Sequence, residues 1–256
     1  MTQEKNIQQE NIAAIYINEE TGERLIFTRD QLINQLQKIC PSIHKSFDTT
    51  FSNEFKNLSS DLSEISPILF IGYRMAKENN NELLITCGDL LRNSANTIIA
   101  ATQTLRCGFR LQSGILLRSV IEMCATVVHL IVKPDDLNKF LNDELISSKS
   151  ISIADKQIPL FGKIYGILSK KQIHINSLHA DWYPMREYNS SEEIPASVTL
   201  GMLGFSTMLL YITTELTFIN AVENPKFWEI VEKGKVKFIP PDNSIFSWVD
   251  EKLKKK

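Results

Sequence analysis

The feature that most constrains this chain is an apolar stretch, GFRLQSGILLRSVIEMCATVVHLIVKP, which covers residues 108–134. Its apolar residues fall on nearly every side of a helix, which is typical of a helix at the centre of a bundle. Among its polar residues are Arg118, Glu122 and His129. Because successive helical residues turn by about 100°, these three should lie along one side. Such a polar stripe indicates either a buried network that fixes helix register or a functional cleft.

A second predicted helix, at residues 82–105, directly precedes this stretch and carries its own line of polar side chains. These polar residues are Asp89, Arg92 or Asn93, Asn96 and Gln103. Two neighbouring helices of this kind can face each other with their polar lines, or they can line a cleft together.

The remaining chain predicts an all-α protein, an antiparallel helical bundle with a small N-terminal β-hairpin. Two β-prone runs, at residues 12–17 and 23–27, flank a turn-like Glu-Glu-Thr-Gly and predict the hairpin. Thr28 followed by Gln31 matches a capping box, so a helix is expected to start there and to stop before Pro41. Long apolar helices are unstable alone, so they must pack against one another.

The predicted organisation divides the chain into successive parts. They are a flexible tail at 1–11, the hairpin and first helices at 12–60, a core bundle at 61–223 and short C-terminal helices at 224–256. Within the core bundle, Pro67 is expected to open a helix and the Ser-rich segment at 147–152 to interrupt one. The C-terminal part is predicted to be helical at 225–233 and at 244–253.

Composition and charge narrow the classes of partner. Lys and Arg total 28 against 30 Asp and Glu, a net charge of −2, so the whole chain lacks the basic excess typical of nucleic-acid or anionic-membrane binding. Residues 196–214 carry no charge, but their Thr, Ser and Gly content favours a buried core helix over a membrane span. We therefore expect no membrane partner. Cysteines without a C-x-x-C motif and a polar N-terminus without a signal peptide indicate a cytoplasmic protein.

A second group of polar residues lies in IYGILSKKQIHINSLHADWY, at residues 164–183. Tyr165 and Ser169 are one turn apart near a predicted helix end. The loop that follows contains Lys170, Lys171, His174, His179 and Trp182. Histidine is the usual general acid or base near neutral pH, although lysines at a helix C-terminus and loop packing offer a structural explanation.

Metal binding is not expected at this loop. The two histidines are five residues apart, whereas a helical ligand pair is expected at four, and no cysteine lies near. No cofactor motif is found elsewhere in the chain. His44 is expected to be a surface residue.

The sequence LLRSVIE at 116–122, followed about fifty residues later by Tyr-x-x-x-Ser and a histidine, resembles a family of bacterial all-helical proteins. That family is in turn similar to the HEPN superfamily, helical bundles common in toxin–antitoxin and phage-defence systems. By this resemblance, Arg118 and Glu122 match the Arg-x-x-x-Glu of the central helix. Ser169 with His174 matches the Ser…His turn, and His179 is the competing alignment.

Many HEPN members are metal-independent ribonucleases that act as dimers and join two copies of an Arg-x4–6-His motif. No arginine of this chain has a histidine at that spacing. The resemblance still implies a candidate enzyme in which His174 or His179 moves protons at the ribose and Arg118 or a lysine stabilises the charged phosphorane. Glu122 and Ser169 complete the expected catalytic set. The residues expected to bind the substrate are Tyr165, Lys170, Lys171, Arg110 and Trp182.

The alternative hypothesis is a non-catalytic helical module for interaction or dimerisation. In it, the polar stripe fixes helix packing, and the aromatic loop around Trp182 contacts a protein partner. The expected partners are therefore RNA or another protein, with the chain acting as a homodimer.

Overall fold

The computed structural model describes residues 11–170, 174–175, 177, 179, 185–191, 193–232 and 235–241. Most of these residues are helical, and the predicted all-α bundle with an N-terminal hairpin is confirmed. The helices are α1 (Gln31–Ile33), α2 (Cys40–Thr50), α3 (Ser52–Glu78), α4 (Glu82–Arg106), α5 (Arg110–Val132), α6 (Leu137–Leu141), α7 (Ser147–Gln157), α8 (Phe161–Leu168) and α9 (Ile194–Thr217). A π-helical segment, Asn34–Ile39, joins α1 to α2.

The N-terminal hairpin forms where the β-prone runs predict it. β1 (Ile12–Ile17) pairs antiparallel with β2 (Arg24–Thr28), and Tyr16 lies opposite Leu25. Gly22 takes a left-handed backbone conformation with φ of 69° in the connecting turn, where a side chain would be strained. Nearly every residue of both strands is exposed, so the described part of the chain leaves both faces of the hairpin uncovered.

The start of the helical region differs from the prediction. The capping box at Thr28 is wrong, because α1 begins at Gln31 with Asp30 at its N-cap and no side-chain cap. The helical path also continues through Pro41, which occupies the first turn of α2. A proline is tolerated there because the amide that it lacks would have no partner within the helix.

Two further predicted interruptions do not occur. Pro67 lies inside α3, which also runs uninterrupted across the predicted domain boundary at residue 60. Burial of Ile65 and Leu69 on either side of the proline holds the helix in place. The Ser-rich segment at 147–152 belongs to α7, whose buried side is formed by Ser150, Ile151 and Ala154. In both helices, tertiary packing outweighs weak local propensity.

The predicted central helix is α5, and it contacts α4, α9, α7 and α8. Its buried side chains lie on several sides of the helix, from Leu117 through Val120 and Cys124 to Val128. Gly108, with φ of 88°, allows the chain to reverse between α4 and α5. The apolar character of this stretch is therefore explained by its position in the core.

The C-terminal segment at 225–233, predicted to be a helix, forms a second hairpin instead. β3 (Trp228–Glu232) pairs antiparallel with β4 (Lys235–Phe238). The buried Glu215 of α9 accepts hydrogen bonds from the backbone amides of Lys226 and Phe227 at 2.8 and 2.9 Å. Trp228 Nε1 donates to the carbonyl of Ile212 at 2.9 Å. These anchors and the β-branched residues of β3 favour a strand. The predicted helix at 244–253 lies outside the described residues.

Within the part of the chain that the structure describes, two helices, α5 and α9, are long and apolar enough to cross a membrane when judged by length and composition. Within the most apolar window of each, 50% of the residues of α5 and 78% of those of α9 are buried inside the protein. Helices at the core of soluble bundles have the same composition. The burial of α9 agrees with the prediction that residues 196–214 form a core helix.

Candidate functional site

Three polar side chains meet where α5 packs against α8, and we call Arg118, Glu122 and Tyr165 the α5–α8 cluster. Arg118 Nε donates to Glu122 Oε1 at 3.1 Å, one helical turn away on α5. Its Nη2 donates to the Tyr165 hydroxyl at 2.7 Å, and the guanidinium carbon lies 5.0 Å from the centroid of the Tyr165 ring. The arginine is therefore fixed by both helices.

The α5–α8 cluster is partly open to solvent. The Arg118 and Glu122 side chains are 30% and 27% exposed. Partial burial opposes the charged form of Arg118, but the hydrogen bond from Arg118 to Tyr165 and the charge of Glu122 together raise its pKa above the ordinary value. Arg118 is thus a permanent cation held at the protein surface. An anionic ligand would compete with Glu122 for it, so the cluster can bind such a ligand but at a reduced net charge.

The predicted Ser…His turn begins directly beside this cluster. Ser169 follows Tyr165 by one turn, and its buried Oγ has no hydrogen-bond partner in the described part of the chain. The His174 amide donates to the Ser169 carbonyl at 3.0 Å, so the backbone at His174 returns to the end of α8. His174 and Lys170 are exposed and His179 is half-buried. Lys171 and Trp182, two predicted substrate-binding residues, lie outside the described residues.

The polar stripe predicted on α5 is divided between two environments. His129 is fully buried, with its Nδ1 3.0 Å from Ser150 Oγ and its Nε2 3.0 Å from Asp136 Oδ2. Hydrogen bonds from Lys139 and then from His129 lower the pKa of Asp136 to about 2. At this end of α5, the stripe is an internal network. Only the end at Arg118 and Glu122 reaches solvent.

Arg110, predicted to bind substrate, is enclosed in the protein. Its side chain is 2% exposed and forms an ion pair with Glu193, whose side chain is 12% exposed. The second bond of this pair, from Nη2 to Glu193 Oε2, is 3.2 Å long. The guanidinium carbon also lies 4.1 Å from the centroid of the Tyr188 ring. This burial assigns Arg110 a structural role between α5 and the start of α9.

The polar line of α4 does not join that of α5 in a common cleft. Asp89 accepts a hydrogen bond from Tyr73 of α3 at 2.8 Å, and Arg92 stacks on the same ring. At the other end of α4, Gln103 lies against His44 of α2. Asn93 alone of these residues has a described contact with α5, at Met123. The α4 line therefore faces mainly α2, α3 and solvent.

A second reactive group was missed by sequence reasoning. His44 Nε2 lies 3.0 Å from Cys107 Sγ, although the two residues are 63 positions apart. Gln103 Nε2 donates to the same sulfur at 3.7 Å. His44 is half-buried, because α2 packs on the end of α4. No local motif could have indicated this contact, since only the tertiary fold brings the two helices together.

The fold and the α5–α8 cluster together define an all-α bundle with a half-exposed Arg–Glu–Tyr group on its surface. No family model, no curated protein and no solved structure matches the chain. Across the described residues, no group of three or more His, Cys, Asp or Glu side chains is arranged to hold a metal ion. Function is therefore inferred from the geometry of the cluster and from the resemblance of its sequence.

Proposed function

We propose that this chain is a HEPN-like helical protein of the toxin or phage-defence type, and that it binds RNA at the α5–α8 cluster. The observation that carries the proposal is the guanidinium of Arg118, which is half-exposed and held in a fixed orientation by Tyr165 and Glu122. The sequence around it, LLRSVIE, is the part that resembles the HEPN central helix.

A fixed guanidinium suits a phosphate ligand. Arginine presents a planar fork of donors that matches two phosphate oxygens, and a preorganised arginine loses little entropy on binding. Among its described contacts, Arg118 uses Nε and one hydrogen of Nη2, which leaves Nη1 for a ligand. Lys170 is exposed just beyond the end of α8 and would add positive charge along an RNA backbone.

Cleavage of the bound RNA would require an imidazole close to the ribose. His174 and His179 follow the cluster along the chain, and either would take the proton of the 2′-hydroxyl as general base. Arg118 would then stabilise the negative charge that develops on the phosphorane.

Replacing Arg118 by glutamine should weaken RNA binding about tenfold or more, because a hydrogen bond to a charged group contributes about 1.5–3 kcal/mol. The slope of log affinity against log salt concentration should also become shallower by about one, because one fewer counterion is released on binding. Fluorescence anisotropy with a labelled single-stranded RNA, titrated at several salt concentrations, measures both effects. The matched control is Arg74→Gln, which removes an exposed i,i+4 arginine paired with Glu78 and should leave binding unchanged.

Wild-type protein that does not bind RNA at low salt, or Arg118→Gln protein that binds as tightly as the wild type, would contradict this proposal. The cleavage step is tested by incubating RNA with wild-type, His174→Ala and His179→Ala proteins. If RNA stays intact with the wild-type protein, the cleavage step is ruled out and only the proposal of RNA binding remains. Growth of expressing cells under phage challenge tests the biological assignment.

A second candidate function, a homodimerisation module, is favoured by the N-terminal hairpin. Apolar side chains between Ile15 and Ile39 are exposed by 42% to 70%. They are Ile15, Tyr16, Ile17, Leu25, Ile26, Phe27, Leu32, Ile33, Leu36 and Ile39. Successive side chains of a strand lie on opposite faces, so each face of the hairpin offers about half of its exposed strand residues to a partner.

The hairpin also presents an edge that a second copy can pair with. β1 has the sequence IAAIYI, without charge or proline, whereas edge strands that avoid pairing usually carry one or the other. Two β1 strands related by a two-fold axis would form antiparallel backbone hydrogen bonds and a four-stranded sheet. The partner that fits this surface is therefore another copy of the chain.

Replacing Ile15 by lysine should convert the dimer into a monomer, because two charges would then lie at the centre of the paired strands. Light scattering coupled to size-exclusion chromatography over a concentration series measures the change. The control is Ile115→Lys, at an exposed residue of α5 away from the hairpin, which should remain dimeric. If the wild-type protein is monomeric at every concentration, the proposal of a homodimerisation module is contradicted.

A further inference from the structure

The group formed by Cys107, His44 and Gln103, which we call the thiol–imidazole group, lies apart from the α5–α8 cluster. Cys107 is the C-cap of α4, and His44 lies in the middle of α2. The 3.0 Å separation between His44 Nε2 and Cys107 Sγ is within hydrogen-bonding distance. This is the arrangement in which an imidazole activates a sulfur nucleophile.

Cys107 differs from the other cysteines in its exposure to solvent. All four are free thiols, and Cys40, Cys87 and Cys124 are buried while Cys107 is partly exposed. Gln103 and Arg106, which neighbour Cys107 on α4, are among the residues that line a groove of about 360 Å³ between α3 and α4. A small solute in this groove would lie near Cys107, whereas the other three cysteines are enclosed.

At rest, the group pairs a protonated thiol with a neutral imidazole. Burial, and then the charge of Arg106, lower the pKa of His44, so its imidazole is neutral near pH 7 and can accept a proton. Burial, and then the neighbouring Cys40, raise the pKa of Cys107, so the sulfur rests as a thiol. Asp48, bonded to Arg106 at 2.7 and 2.9 Å, favours the imidazolium once a proton has moved.

A second thiol lies beside Cys107. Cys40 Sγ donates to the Cys107 backbone carbonyl at 3.7 Å, which places the Cys40 side chain next to Cys107. Cys40 is 1% exposed, so solutes do not reach it directly. Its position is that of a resolving thiol, which reacts only after its neighbour has been oxidised.

We propose that Cys107 is a peroxide-reactive thiol, with His44 as its base and Cys40 as its resolving partner. In the first step, Cys107 Sγ attacks one oxygen of a hydroperoxide and the O–O bond breaks. The thiol proton passes through His44 Nε2 to the leaving oxygen. The sulfur is oxidised to a sulfenic acid and, for hydrogen peroxide, the leaving group departs as water.

In the second step, Cys40 Sγ attacks the sulfenic sulfur and the S–O bond breaks. The released hydroxide takes the Cys40 proton and leaves as water. The sum is two thiols and one hydrogen peroxide giving one disulfide and two waters. The disulfide would tie the start of α2 to the turn between α4 and α5, and it would close a loop between residues 67 positions apart. This site is independent of the proposed RNA function.

The test exposes the reduced full chain to hydrogen peroxide and follows its intact mass and its non-reduced peptide map. The expected result is loss of two hydrogens and a single Cys40–Cys107 linkage. His44→Asn should slow the reaction at least tenfold, since a general base typically contributes about 10²–10⁴-fold. Cys40→Ser should accumulate a sulfenic acid at Cys107 that a dimedone probe captures. Cys87→Ser is the matched control and should react as the wild type does.

A linkage to any other cysteine, no linkage at all, or an unchanged rate in His44→Asn would overturn the proposal. If Cys40→Ser does not fold, the peptide map of the wild type and the rate for His44→Asn still decide the question.

Discussion

Replacing Gly72 by alanine should destabilise the protein strongly, whereas the same replacement at Gly204 should stabilise it. Both glycines lie inside long helices, α3 and α9. A Cβ at Gly72 would lie 2.1 Å from Phe218 Cγ and 2.5 Å from Phe218 Cβ. Those atoms are close to the backbone and cannot swing away, so either α3 or the end of α9 must move.

The expected loss at Gly72 is about 1–3 kcal/mol, the usual cost of overpacking a core. A Cβ at Gly204 would meet nothing within 4 Å, so the change should add about 1 kcal/mol of helix stability. Urea denaturation gives both values, and each kcal/mol should move the melting temperature by about 2–4 °C. Equal effects of the two substitutions would show that α3 does not pack on Phe218 as described.

Replacing Glu193 by glutamine should cost about 3–5 kcal/mol of stability, because Arg110 would remain buried without its counter-charge. The pair is almost fully enclosed, with the arginine 2% exposed. The other bonds of Arg110, to the carbonyls of Gly108 and Arg186 at 3.2 Å, satisfy individual protons but do not neutralise the charge.

The matched control for this pair is Glu78→Gln. Glu78 forms an ion pair with Arg74, and the two side chains are 60% and 71% exposed. An exposed i,i+4 pair contributes only about 0.3–0.5 kcal/mol, so thermal unfolding should change little. Comparable effects of Glu193→Gln and Glu78→Gln would mean that the Arg110–Glu193 pair is solvated.

Sequence periodicity predicted α4, α5 and α9 well, because the spacing of their apolar residues reflects burial. It divided α3, because Pro67 is a local signal for a helix start and the packing that keeps α3 continuous is not local. α5 was predicted from apolar residues on all sides and α4 from a continuous helical pattern. The second hairpin could not be predicted in this way. Hydrogen bonds to α9 hold its first strand in place: the Phe227 amide donates to Glu215, and the Trp228 indole donates to the Ile212 carbonyl. These partners are too far apart in the sequence for a window of a few residues to contain both.

The candidate site was predictable only in part. The Arg118–Glu122 pair follows from i,i+4 spacing, but its contact with Tyr165 spans 47 positions. His129 shares the same helical side, yet Ser150 of α7 and Asp136 enclose it. The Arg110–Glu193 pair spans 83 positions. Contacts of that range depend on which helices become neighbours, and helical periodicity carries no information on this.

The carboxylate of Glu215 also sets a limit on how the chain can be shortened. In any fragment that ends before Lys226, the carboxylate of Glu215, a residue with 1% exposure, would lose both of its amide hydrogen-bond donors. The indole of Trp228 would also be missing from the surface of α9. Deletion mapping of any activity should therefore retain β4 and Ile239, whose amide donates to the Phe227 carbonyl. Shorter fragments are expected to lose function through misfolding of α9, whatever the removed residues do.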